Sequence, residues 1–242
     1  MVVKPKGKKP ATKAAPTKPV VDIATRPMKP IAVVAAPMPP AAPAQRDELG
    51  APRDVGRMLR YGERFGAHRI DVRMLPLQLP VGSSLAVCDP GVPKSWRVFD
   101  RPVGGGQFRV MLAIARSDDK EQLAAIVIHV GRPPIARWTV AHYQGQKKPK
   151  SPDALPRCPI TTGWLALLDA GSGSPGVVAI SAQPGLAPVE VPLTDGRRAL
   201  ALPCGDGDYA AYWAVDATDK PVCLVVDFDV FTLKDWKSKP AA

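Results

Sequence analysis

At 242 residues the chain has room for one large domain or two small ones. Composition decides for one, because the first 45 residues hold ten of the 29 prolines and eight Lys/Arg against the single acid Asp22, with no aromatic residue. Such a segment buries too little apolar surface to offset the entropy of ordering its backbone, so about 170 to 190 residues are left for a domain that needs neither disulfides nor metal.

The formal charge of +11 divides unevenly: the tail carries +7 and the remainder only +4, which makes basicity mainly a property of the tail. No stretch approaches the roughly 18 to 20 apolar residues of a spanning helix. The apolar run from Ile31 to Met38 is short, broken by Pro37 and too far from Met1 for an ordinary signal peptide. Cys88, Cys158, Cys204 and Cys223 form neither a zinc spacing nor a disulfide framework, and the expected setting is the cytoplasm. Cys223, in an apolar run, is expected to be a buried free thiol.

In chain order, the composition of residues 1–45 predicts a disordered basic Pro/Ala/Lys tail. Lys4, Lys6, Lys8, Lys9, Lys13 and Lys18 alternate with Pro and Ala, as in the tails of linker histones. Lysines on such a chain can neutralise nucleic-acid phosphates without reading sequence, or the segment can serve as an extended spacer. Residues 46–66 are a connecting segment in which Val55, Met58 and Leu59 predict a short helix after Asp54.

From residue 67 to 233 the period is two. Ile70, Val72 and Met74 alternate with Asp71 and Arg73, and Phe108, Val110, Leu112 and Ile114 form one face of a strand. Further strands are predicted over 85–88, 123–129, 137–142, 164–168, 177–181, 199–202, 209–215 and 222–231. Turn signals fall at Asp89-Pro-Gly91, Gly104 to Gly106, Gly171 to Gly176, Gln183-Pro-Gly185, Asp195-Gly196 and Gly205-Asp-Gly207. The predicted fold is mainly β, an antiparallel sandwich or partly closed barrel with one short N-terminal helix. Residues 234–242 read as a disordered C-terminal tail.

Chemistry is sparse. The histidines are His68, His129 and His142, none in a recognisable triad. Cys88-Asp89 is either a reactive thiol beside an acid or, more simply, the start of a turn. The glycine-rich loops lack the register of a phosphate loop. Asp206 and Asp208 alternate with glycines but lack the remaining ligands of a calcium loop, so a tight turn is the simpler reading. Asp227, at the end of an apolar strand, is expected to face solvent, cap a turn or pair with Arg97 or Arg137.

The segments Gly205-Asp-Gly-Asp-Tyr-Ala-Ala-Tyr-Trp-Ala-Val-Asp-Ala217 and Pro221-Val-Cys-Leu-Val-Val-Asp-Phe228 resemble the C-terminal signature of a bacterial domain-of-unknown-function family, number 4241. Gly82 to Pro90, the Gly106-x-Phe-x-Val110 strand and Ala136-Arg-Trp-Thr-Val-Ala141 add earlier matches, so that the resemblance covers about residues 77 to 231. Pro203-Cys204 stands where the family has a Gly-Trp pair, and Thr162 to Asp169 fits its central segment loosely. The resemblance implies a β-rich bacterial domain and supplies no activity.

Candidate binding residues are Asp89, Arg137, Trp138, Gly205, Asp206, Gly207, Asp208, Tyr209 and Asp227, each with a purely structural alternative. No catalytic residue, metal or cofactor is expected. The expected function is a non-enzymatic binding or protein-interaction module; the alternatives are tail-driven nucleic-acid association and a hydrolase-like or metal-dependent enzyme.

Overall fold

A computed structural model describes residues 48–118, 120–147, 149–151, 154–172, 180 and 185–238. The tail lysines, the glycine loop from 173 to 176, most of the strand expected at 177–181 and residues 239–242 lie outside these. Alternating apolar residues make strands, and here most strands are apolar on both faces: every residue of Ser84–Cys88 and Trp164–Asp169 is buried. Two stacked sheets leave such strands with an outer face that needs its own cover.

The larger sheet has eight antiparallel strands: β1 (Arg64–Phe65), β2 (His68–Val81), β5 (Gly106–Ser117), β6 (Lys120–His129), β13 (Pro221–Asp227), β12 (Gly207–Val215) and β7 (Arg137–Val140) in spatial order, with β8 (Arg157–Ile160) also pairing to β12. The smaller sheet runs β10 (Val189–Pro192), β11 (Arg198–Pro203), β9 (Trp164–Asp169), β3 (Ser84–Cys88) and β4 (Arg97–Pro102). Leu112, Ile126, Trp213 and Leu224 of the first meet Leu85, Leu165, Leu167 and Leu202 of the second in the central core.

Three features depart from expectation. The predicted N-terminal helix is a single 3-10 turn, Val55–Leu59. The segment expected to connect tail and domain is part of the domain: Val140 N donates to the Leu49 carbonyl, Ala51 N donates to the Trp138 carbonyl, and Gly50 bridges Thr139. Residues from 234 onward, expected to be a tail, begin inside helix α1 (Leu233–Trp236), capped by reciprocal Thr232–Asp235 hydrogen bonds. These two segments cover the outer face of the larger sheet, where Val55, Met58, Phe65 and Phe231 pack on Met111, Val127, Tyr212 and Val225.

Short or proline-bearing strands escaped prediction. β1 has two residues, β8 contains Pro159 and β10 ends in Pro192, and proline cannot donate to a ladder. The long β2 was only partly expected; it tolerates Pro76 because its register shifts between Met74 and Gln78. No helix among the described residues is long and apolar enough to cross a membrane.

A buried ion cluster ties the two sheets at one corner. Arg101 of β4 is fully buried; its guanidinium donates to Glu48, to the Asp219 carbonyl at 2.9 Å and to the Asp219 carboxylate at 3.4 Å, and Arg137 donates to that carboxylate at 2.5 Å. Asp219 sits in the β12–β13 turn with φ of 66°, so its left-handed backbone aims a carbonyl and a carboxylate at the same arginine. Breaking one partner of a buried pair typically costs about 3–5 kcal/mol. Arg101→Met is therefore expected to lower urea-measured stability by about that amount, and adding Glu48→Gln should recover part of the loss. A loss below about 1 kcal/mol would show that Glu48 and Asp219 reach water without their cation.

Candidate functional site

The residues singled out in the sequence do not converge on one site. Asp89 is a buried staple: its carboxylate accepts from Thr161 N at 2.7 Å, Thr162 N at 3.0 Å, Gly91 N at 3.0 Å and the Thr162 hydroxyl at 2.5 Å. Burial works against its charge, yet these hydrogen bonds outweigh burial and hold its carboxyl below the usual range. The neighbouring Cys88 thiol is buried and pushed up to about 12 by that burial, which disfavours its thiolate. Cys158, Cys204 and Cys223 are also free, with thiols raised by burial to about 12.

Arg137 belongs to the Arg101 corner, while Trp138 is half-buried against the outer-face core. The Gly205-Asp-Gly207 segment is a turn held by Tyr209, whose hydroxyl lies 3.0 Å from the carbonyls of both Cys204 and Gly205. Gly205 has φ of +82°. Gly207 does not need a left-handed backbone; an added Cβ there would lie 2.8 Å from the Tyr209 ring, so close approach is what requires glycine. Asp206 and Asp208 point to solvent as exposed residues, and among the described residues no group of three His, Cys, Asp or Glu could hold a metal ion.

Asp227 caps the turn after β13, as one of the expected roles had it: its carboxylate accepts from Asp229 N at 2.9 Å. It is 1 % exposed rather than solvent-facing, and the cation beside it is Arg53 at 3.4 Å, not Arg97 or Arg137. The same Arg53 guanidinium donates to Asp229 at 2.7 Å, and Arg157 grips the other Asp229 oxygen at 2.7 Å. Asp229 holds φ of 51°, which ends β13 and turns its carboxylate between the two arginines. Burial opposes the Asp229 charge, but hydrogen bonds from Arg157 and Arg53 keep its carboxyl low. Burial dominates at Asp227, raising its carboxyl to about 6 against the pull of Arg53. The buried Tyr212 hydroxyl lies beside Arg53 without a well-formed hydrogen bond.

Above this cluster opens a cleft of about 690 Å³. Its apolar walls are Pro52, Leu155, Phe231, Leu233 and Trp236, and its charged rim is Arg53, Asp54, Arg157, Asp229 and Lys237. The chain matches no protein-family model, no curated protein and no solved structure. The cleft must therefore be read from its own residues. Behind it Phe231 stacks on Phe65 at 4.2 Å, and Trp236 meets Phe65 edge-on at 4.8 Å. Arg57, nearly fully buried, donates to Glu63 at 2.8 and 2.9 Å, to the Trp236 carbonyl at 2.8 Å and to the Arg64 carbonyl at 2.7 Å. At the rim Leu233 is 76 % exposed, and among the described residues no carboxylate forms an ion pair with Lys237.

Only Asp227 was legible beforehand among the residues of this site and its support. Arg53, Arg157 and Trp236 gave no signal, because they lie in segments without period and meet only through the fold.

Burial of Asp227 has a pH signature. Its folded carboxyl is raised above the unfolded value, so the folded state holds an extra proton between about pH 4 and pH 6, and stability falls as pH rises through that window. Asp227→Asn removes this term. The stability of the native chain relative to the Asn variant is expected to fall by about 1–3 kcal/mol from pH 4 to pH 6.5, measured by urea unfolding; parallel curves would contradict the assignment.

Proposed function

We propose that the chain is a binding module whose cleft receives a short segment of a protein partner, an apolar side chain set between acidic residues. The observation that carries this reading is the pairing of apolar walls with an exposed Leu233 and an uncompensated Lys237 at the rim. Concave, largely apolar sites with a few polar groups are where ligands gain most from leaving water. Four cations line the cleft against two carboxylates, but Arg53 and Arg57 are also engaged by Asp227 and Glu63 beneath the surface, which leaves Lys237 as the charge free to meet a partner.

Family 4241 membership, and with it a bacterial source, belongs to the same proposal. The segments that carry the resemblance fall on β3, β5, β7, β12 and β13 and on the turns between them. They are scaffold positions, so the resemblance speaks for a shared fold and is silent on the cleft. The thiols raised to about 12 and the absorption of Asp89 into a turn favour binding over nucleophilic chemistry.

Selection of a displayed random peptide library against the full chain tests the reading. Enriched peptides are expected to share one large apolar residue flanked by Asp or Glu. Leu233→Lys should weaken them about tenfold or more, since anchors at such sites carry roughly 2 kcal/mol or more, and Lys237→Glu should weaken them further. Both side chains are exposed, so the variants should fold normally. Peptides without acidic bias, or peptides indifferent to Leu233, would overturn it.

A further inference from the structure

A second pocket, of about 380 Å³, is lined by Met74, Gln107, Phe108, Arg109, His129 and Arg132. Arg109 on β5 stands directly opposite His129 on β6, with Cys223 of β13 on the other side of His129 and Gln78 of β2 on the other side of Arg109. Like charges directly opposite in a ladder destabilise a sheet, and a neighbouring carboxylate is the usual remedy.

Elsewhere in the molecule that remedy is applied. Ten of the fifteen described arginines lie within 4 Å of a carboxylate. Arg109 and Arg132 are not among the ten, and no acidic residue lines their pocket. Burial, and then Arg109, hold the His129 imidazole below its ordinary range, as follows when an imidazole faces a cation and no anion.

We propose that this pocket binds the phosphate of a phosphomonoester between Arg109, Arg132 and His129, with the apolar part of the ester resting on Phe108 and Met74. Two guanidinium forks supply charge-assisted donors to a dianion, the bound dianion in turn favours the protonated form of His129, and the half-buried Phe108 offers a surface to a ring or alkyl group. The site shares no residue with the cleft and stands independently of its ligand.

The test follows the His129 imidazole of the full chain by NMR through a pH titration, its signal assigned with His129→Gln. Titrations in chloride, acetate, inorganic phosphate and a nucleoside monophosphate are compared at matched ionic strength. Both phosphates are expected to raise the His129 midpoint, the nucleoside monophosphate at lower concentration, and acetate is not. Arg109→Gln should raise the midpoint without ligand, by removing the facing cation, and Arg109→Gln with Arg132→Gln should abolish the phosphate response. A midpoint indifferent to phosphate, an equal shift with acetate, persistence of the response in the double variant, or a nucleotide effect confined to the tail lysines would each overturn the proposal.

Discussion

One buried cation holds the outer face of the larger sheet closed. Arg57 leaves a 3-10 turn, places its guanidinium carbon 4.4 Å from the Phe65 ring centroid and spends its guanidinium on Glu63 and on two carbonyls, Arg64 before β2 and Trp236 nearly 180 residues on. A planar fork with five donors makes four hydrogen bonds here, one more than the three donors of a lysine ammonium allow. Segments separated by about 180 residues thus become one cap, and the cleft exists because that cap has walls.

The need for a cap follows from the strands themselves. When Met111, Ala113, Val127 and Val225 are apolar on the face away from the sandwich core, the sheet cannot face water there without losing roughly 25 cal/mol for each Å² left exposed. The capping segments bring aliphatic residues, Val55 and Met58 fully buried and Leu49, Ala51 and Leu59 partly so. They also contribute Phe65, Phe231 and Trp236, large rings that cover much area for few residues, together with the charged groups that become the rim.

The strands were legible in the sequence because their signal is local. Ile70, Val72 and Met74 of β2 and Val110, Leu112 and Ile114 of β5 declare a period of two without any distant partner. Of the cap, only the helical turn of Val55, Met58 and Leu59 gave a local signal; the rest is specified by long-range contacts: Arg53 and Asp229 are 176 positions apart, and Trp236 sits in a four-residue helix that no periodicity can reveal. The cap that Asp227 makes on the following turn was among its expected roles, but its burial was not legible, for the same reason. A carboxylate after an apolar strand ordinarily meets water, and here the Asp229 amide and Arg53, from a distant part of the chain, accompany it in the interior. The glycines of 205–207 were read correctly as a turn, but the aromatic ring that makes Gly207 necessary lies two residues on and acts through space.

Hydrogen exchange in an Arg57→Lys variant addresses the cap most directly. If Arg57 holds it, the amides of Gly62, Ile70 and Trp236, bonded to Ile70, Glu63 and Thr232, should lose protection while those of Leu167 and Leu200 in the smaller sheet keep theirs. Unchanged protection at Trp236, or an equal loss in both sheets, would contradict the account.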